Sequence, residues 1–240
     1  MSEHGAQLKA TIIHLIKQAV AQANTVTQYR EPLVAFAQAD DPRFAELRQL
    51  AAPNHMMPED LLPGARSVVS FFVPFDPQVL NANARDRTTV ACEWAVAYGE
   101  TNDLIDRTIQ RLIARLAERG VRAAAEGATH NFDPERLVSW WSHKSVAVVT
   151  GLGSFGLHHM IITDAGCAGR LGSLVLDADL PPRGEPGKER CLYFHDGSCD
   201  VCVERCPVEA LDTENQIDKR RCWHRCQDVA VTFEALGSPG

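Results

Sequence analysis

Apolar residues at Leu8, Ile12, Ile16, Ala19, Val20 and Ala23 recur at three- and four-residue intervals. That spacing predicts an amphipathic helix over 8–23. A second helix is expected over 103–119, where Leu104, Ile105, Ile109, Leu112, Ile113 and Leu116 share one face. Thr101 or Asn102 stands where its cap belongs, and Gly120 where a closing glycine belongs. Residues 66–75, RSVVSFFVPF, break this rhythm. They form a short β-branched and aromatic run after the Pro63-Gly64 turn, and predict a buried strand. The stretch 24–63 is mixed, with a short helix over 42–50, and 81–87 is a polar loop. Further strands are expected over 121–125, 160–163 and 171–177, the last two divided by the turn Asp164-Ala165-Gly166. Asp133 before Pro134 reads as the cap of a helix running through Trp140 and Trp141 towards Thr150. His158 and His159 then fall in a strand, pointing to opposite faces.

Strands and helices alternate irregularly, which favours an α+β fold over a doubly wound sheet. The segment Pro181-Pro182-Arg183-Gly184-Glu185-Pro186-Gly187 is the clearest linker. It divides the chain into a larger domain, residues 1–182, and a small module, residues 183–240. The first residues carry no basic segment followed by an apolar block, and no apolar run is long enough to cross a bilayer. A cytoplasmic location is expected. The formal charge is −7 and there is no long basic tract. A nucleic-acid surface is therefore not expected; Lys219-Arg220-Arg221, the densest basic run, reads as a solvated turn.

The cysteines change the picture. Six of the eight lie between Cys191 and Cys226, and the centre of the group is Cys199-x2-Cys202-x3-Cys206-Pro207. Crowding of this kind without a secretory signal points to metal or redox use. Bacterial ferredoxins hold cubane clusters with C-x2-C-x2-C-x3-C-P, whose last cysteine serves a second cluster. Here the first place falls on Asp196, and Cys191 is a candidate substitute. The expected ligands of a [4Fe–4S] cluster are drawn from Cys191, Cys199, Cys202, Cys206, Cys222 and Cys226. Two cubanes held by cysteine alone need eight thiolates, so one cluster is favoured. Two partitions fit the spacing. In one, Cys199 and Cys202 share a cluster with Cys191 or a late cysteine, and Cys206 goes with Cys222 and Cys226. In the other, a single cluster uses Cys206. Zinc is the rival, because Cys199-x2-Cys202 and Cys222-x3-Cys226 stand nineteen residues apart, near a zinc-ribbon spacing. Cys206 and the Cys-Pro-Val-Glu-Ala-Leu string speak for iron and sulfur. Cys92 and Cys167 read as structural thiols.

These residues carry a resemblance. Cys191-Leu-Tyr-Phe, the cysteine centre and Asp218-Lys219-x2-Cys222 resemble the iron–sulfur tail of proteins similar to epoxyqueuosine reductase and, more distantly, reductive dehalogenases. Upstream, Ser145 to Gly156, with its Gly151-Leu152-Gly153-x-x-Gly156 turn, is similar to the helix and turn of that family. The resemblance implies a nitroreductase-like α+β domain holding a corrinoid, followed by a ferredoxin-like module whose cluster feeds electrons to the cobalt. It places Gly151, Gly153, Ser154, Phe155, Gly156 and His158 at the cofactor, and makes His143 a candidate proton donor. Three departures stand out. The general acid of epoxyqueuosine reductases falls near Leu137, with Asp133 and Glu135 the nearest acids. Leu157-His158-His159 replace the usual lysine and asparagine after the turn. The family's further cysteine cluster has no counterpart before Gly240. Epoxyqueuosine reduction itself is therefore not expected.

Two functions remain. One is a reductase passing electrons from the cluster to cobalamin or flavin, with a redox partner protein and a small-molecule substrate. The other is a non-catalytic electron carrier or accessory protein. The glycine pattern at 151–156 formally matches a dinucleotide fingerprint, but a strand follows it where that fingerprint needs a helix. A turn allowing close backbone approach is the simpler reading.

Overall fold

The computed structural model describes residues 3–127, 131–182 and 189–234. Along the chain come α1 (Glu3–Ala21), β1 (Leu33–Gln38), α2 (Pro42–Leu50), α3 (Pro58–Leu61), β2 (Ser67–Pro74), α4 (Pro77–Asn83) and α5 (Cys92–Ala117). There follow β3 (Ala123–Ala124), β4 (Phe132–Asp133), β5 (Val138–Ser139), α6 (His143–Val149), β6 (Gly153–Phe155), β7 (Ile161–Thr163) and β8 (Gly169–Leu176). The tail adds α7 (Leu192–Asp196), α8 (Val201–Glu204) and α9 (Lys219–Phe233). The mixed α+β class is as expected. The domain boundary at 182/183 and most of the proposed linker fall outside the described residues.

An antiparallel sheet in the order β1-β2-β8-β3 forms the centre. All eight positions of β2 are buried, because helices cover both faces of the sheet. Val69, Phe71 and Val73 pack with α1 and α5 through Ile12, Ile16, Ile105, Ile109 and Leu112. The alternate residue Val68 packs with Phe44 of α2, Val146 of α6 and Trp141 just before α6, and Phe72 with Ala147 and Leu152. This is why residues 66–75 read as a continuous apolar run rather than an alternating one.

Several elements differ from the sequence reading. Strand β1 had no prediction. Helix α5 begins at Cys92, eleven residues before the expected start at Asp103; its early turns bury Ala95, Ala97, Gly99 and Thr101, small residues that give a weak apolar signal. The helix expected from Asp133 is instead a hairpin. Asp133 Oδ1 accepts from the backbone N–H of Glu135 and Arg136, as a helix cap would, but Leu137 takes a φ of 54° and the chain turns back. An Asp side chain bonded to its own backbone serves a turn as well as a helix. Helix α6 starts only after Ser142, whose Oγ accepts from Ser145 N at 3.2 Å. His158 and His159 lie in the turn before β7, with His159 at a φ of 57°, not in a strand.

Gly172 on β8 faces Phe71 on β2. A Cβ there would meet the Phe71 ring at 2.5 Å and Ile105 at 2.8 Å. Gly172→Ala should lower the urea midpoint, by about 1–3 kcal/mol of stability. An unchanged midpoint would show that the ring yields freely.

Candidate functional site

A cavity of about 1140 Å³ opens between the sheet-and-helix body and α9. Its walls include Trp94 and Tyr98 of α5, His143 and Lys144 of α6, and Trp223 and Cys226 of α9. Helix α9 is held there by contacts with loops of the body. Trp223 meets Phe132 edge-on at 5.3 Å, and Arg225 donates to the Thr88 carbonyl. Arg220 donates to the Glu135 carbonyl at 3.3 Å.

A buried polar node supports the floor. Trp141 Nε1 donates to Ser173 Oγ at 2.9 Å, and Ser173 Oγ lies 2.8 Å from His143 Nδ1. His143 Nε2 is 3.0 Å from the Gly127 carbonyl. One tautomer satisfies all three contacts: Nε2–H donates to Gly127, and Nδ1 accepts from the Ser173 hydroxyl. Burial pushes the His143 pKa below its ordinary value, and the nearby Arg170 guanidinium pushes the same way. His143 is thus neutral, with both ring nitrogens engaged.

The cavity lining is basic in an acidic chain. It carries Arg87, Lys144, Arg170, Arg205 and Arg225 against one carboxylate, Asp86. Asp86 accepts from the backbone N–H and hydroxyl of both Thr88 and Thr89, and these bonds hold its pKa well below the usual carboxylate range. Burial lowers the Lys144 pKa; its Nζ donates to the His159 carbonyl at 3.1 Å. Arg170 is desolvated as well, its guanidinium lying over the Tyr98 ring at 4.0 Å.

The cysteines fall into groups. Burial raises the Cys202 pKa, and Cys191 and Cys199 lie close enough to raise it further by charge. Cys191 is buried at the seam between body and tail, where Leu157 N donates to its Sγ at 3.5 Å. Ala210 N donates to Cys206 Sγ at 3.2 Å. Cys222 and Cys226, one turn apart on α9, hydrogen-bond to each other. That bond, with help from the Lys144 charge, lowers Cys222 to about 6 and pushes Cys226 up. Among the described residues, no three His, Cys, Asp or Glu side chains converge as a ready grip for one metal ion.

The six residues the resemblance places at a cofactor, Gly151, Gly153, Ser154, Phe155, Gly156 and His158, do not border the cavity. A Cβ on Gly153 would meet Ile161 and the Ile162 carbonyl at 2.5 Å, so this glycine lets β6 approach β7. Ser154 Oγ donates to Glu189 at 3.1 Å and accepts from Arg190 N at 3.2 Å, just ahead of Cys191. The turn thus anchors the start of the tail. Sequence reasoning missed Tyr98, Arg170 and Trp223, because residues from α5, β8 and α9 meet only in the fold. Arg170, a lone charge beside the strand-forming run 171–177, was the available signal.

The histidine environment has a pH consequence. Above pH 6.5, the ordinary histidine value, His143 is neutral folded and unfolded. Below it the unfolded chain takes up a proton that the folded site resists, so stability should fall as pH falls, by up to about 1.4 kcal/mol per unit for each such histidine. His143→Gln should flatten that slope in urea titrations between pH 7 and 5. An unchanged slope would place the effect at other histidines.

No protein-family model matches the chain. An epoxyqueuosine reductase of Bacillus cereus is 27% identical over 170 residues, which is 69% of this chain and 41% of the relative. One of Vibrio cholerae is 28% identical over 167 residues, 69% of this chain and 42% of the relative. The chain spans about half the length of such relatives. Among solved structures, an epoxyqueuosine reductase with an epoxyqueuosine-modified tRNA-Tyr stem loop matches with a TM-score of 0.62 at 21% identity, covering 90% of this chain and 56% of that one. The enzyme from Streptococcus thermophilus matches with a TM-score of 0.60 at 16% identity, over 92% and 58%. The tRNA complex overturns the expectation that no nucleic-acid surface is present. That expectation rested on net charge and continuous basic runs, whereas the fold gathers basic residues from positions 87 to 225 around one cavity. No helix among the described residues is long and apolar enough to cross a membrane. Over most of its length the chain shares the fold of epoxyqueuosine reductases and is similar to them in sequence.

Proposed function

We propose that the chain is an iron–sulfur reductase. In this reading residues 183–240 form a ferredoxin-like module holding a [4Fe–4S] cluster, and residues 1–182 form a nitroreductase-like body with a cofactor chamber. The observation that carries the reading is that cysteine-bearing α9 is itself a wall of the cavity, with Cys226 and Trp223 on its surface. An electron source in the tail is then adjacent to the place where a substrate is reduced. Similarity to proteins named as reductases supports the reaction class.

The donor set suits a cluster. Six thiols lie in the tail, and backbone N–H groups point at Cys191 and Cys206, as outer hydrogen bonds to cluster thiolates do. The grouping of Cys191 with Cys199 and Cys202 supports the partition in which Cys191 fills the place held by Asp196. Bound, a cluster supplies single electrons, and a corrinoid or flavin in the chamber supplies the bond chemistry. The chain's own residues do the rest. Trp94, Tyr98 and Phe132 present aromatic walls, Lys144 and Arg170 favour negative charge, and His143 orients the floor through Ser173. His143 is a positioning residue in this reading, since neither ring nitrogen is free to pass a proton. The exposed Arg87 and Arg205 at the cavity suit the phosphates of a nucleic-acid partner, the class bound by the solved relative.

Anaerobic purification followed by iron, sulfide, cobalt and flavin analysis tests this. Iron and sulfide near four per chain are expected, the cubane count of about four each, and Cys202→Ala should lose the brown visible absorption. A brown, fully loaded Cys202→Ala protein would mean the ligand set is wrong. Stoichiometric zinc without sulfide would remove the cluster. A cluster with neither cobalt nor flavin, even after reconstitution, would leave the electron-carrier role.

A further inference from the structure

The basic residues of the cavity are not alike. Arg87 and Arg205 are exposed. Arg225 is tied to the Thr88 carbonyl, and Lys144 to the His159 carbonyl. Arg170 is different: it is half-buried at the cavity wall and held only by neutral groups. Its Nε donates to Asn102 Oδ1 at 2.9 Å, and Tyr98 holds it by ring and hydroxyl. Among the described residues no carboxylate pairs with it. The one acid of the lining, Asp86, is saturated by Thr88 and Thr89, and His143 beside it is neutral.

A partly desolvated cation with neutral partners is held at a cost that an anion would remove. Asn102 and Tyr98 use a minority of the donors in the guanidinium fork. Stacking on Tyr98 and the bond to Asn102 fix its plane, so the remaining donors are arranged in advance for a planar or tetrahedral oxyanion. Tyr98 and Trp94 continue the same wall as an aromatic surface.

We propose that Arg170 is the receptor for an oxyanion, a phosphate or carboxylate, on a small ligand whose apolar body lies along Tyr98 and Trp94. The proposal deepens the reading of the cavity as a ligand chamber and rests on it. It does not depend on the cluster, so iron analysis and the binding measurement can fail separately.

The test is calorimetric titration of the purified full chain with FMN, riboflavin and inorganic phosphate, for wild type, Arg170→Gln and Arg170→Lys. FMN and riboflavin differ only in the phosphate. Wild type should bind FMN at least tenfold more tightly than riboflavin. Arg170→Gln should erase the difference, and Arg170→Lys should keep part of it. Competition between inorganic phosphate and FMN assigns the oxyanion to a bound cofactor. Binding of inorganic phosphate alone, lost in Arg170→Gln, assigns it to free phosphate and supports the receptor equally. If Arg170→Gln fails to fold, an FMN preference that is reduced but not abolished in folded Arg170→Lys carries the test. FMN and riboflavin bound alike, none of the three probes bound, or Arg170→Gln and Arg170→Lys both binding as wild type would each overturn the proposal.

Discussion

Strand β2 has no face left for water, and that constraint arranges the rest of the body. Its eight residues lie between β1 and β8, with α1 and α5 on one side and α2 and α6 on the other. Burial of both faces leaves polar side chains near the centre only the protein for partners, and Ser70 Oγ on β2 itself finds none among the described residues. Ser173, on the neighbouring β8, finds two by joining Trp141 to His143. The same contacts fix where α6 begins, and α6 carries His143 and Lys144 to the cavity. The packing requirement of the sheet and the shape of the chamber are therefore one constraint seen at two distances.

Charge is distributed against the average. The chain carries a formal charge of −7, yet the cavity wall is rich in arginine and lysine. Net charge governs long-range behaviour, but local potential inside a partly desolvated recess depends on which side chains the fold brings there. Low dielectric strengthens each uncompensated charge. Asp86, held ionised by two threonines, offsets only one of the five cations of the lining. An anion entering the cavity meets cations that have no internal counter-charge at Arg170.

The outlines of the body were legible where burial and periodicity agree. Leu8, Ile12 and Ile16 marked α1, and the run from Ser67 to Phe75 marked β2, because large apolar side chains carry the signal. Reading failed where small or polar residues do the packing. The first turns of α5 bury alanine, glycine and threonine, and the hairpin at Asp133 uses the hydrogen bonds that a helix cap would. The cysteine grouping was legible as chemistry but not as geometry, since nothing in the spacing shows Leu157 donating to Cys191. The cavity was not legible at all. It is built from α5, α6, β8 and α9, which periodicity treats one at a time.

The tail cysteines divide between the seam with the body and helix α9. Cys191 lies where the Ser154 turn grips the tail, within range to act by charge on Cys202, while Cys222 and Cys226 lie on α9, Cys226 at the cavity. Ferredoxin spacing sends the cysteine before proline away from the pair that precedes it. Cys206 is held by its own backbone turn through Ala210, and Cys191 by Leu157. Cys191 is buried at the seam, Cys199 and Cys202 are partly exposed, and Cys226 on α9 borders the chamber. The Lys144 charge favours a thiolate at Cys222, the thiol closer to ionisation. The tail thus has an inner end at Cys191, fixed to the body, and an outer end on α9 that borders the cavity.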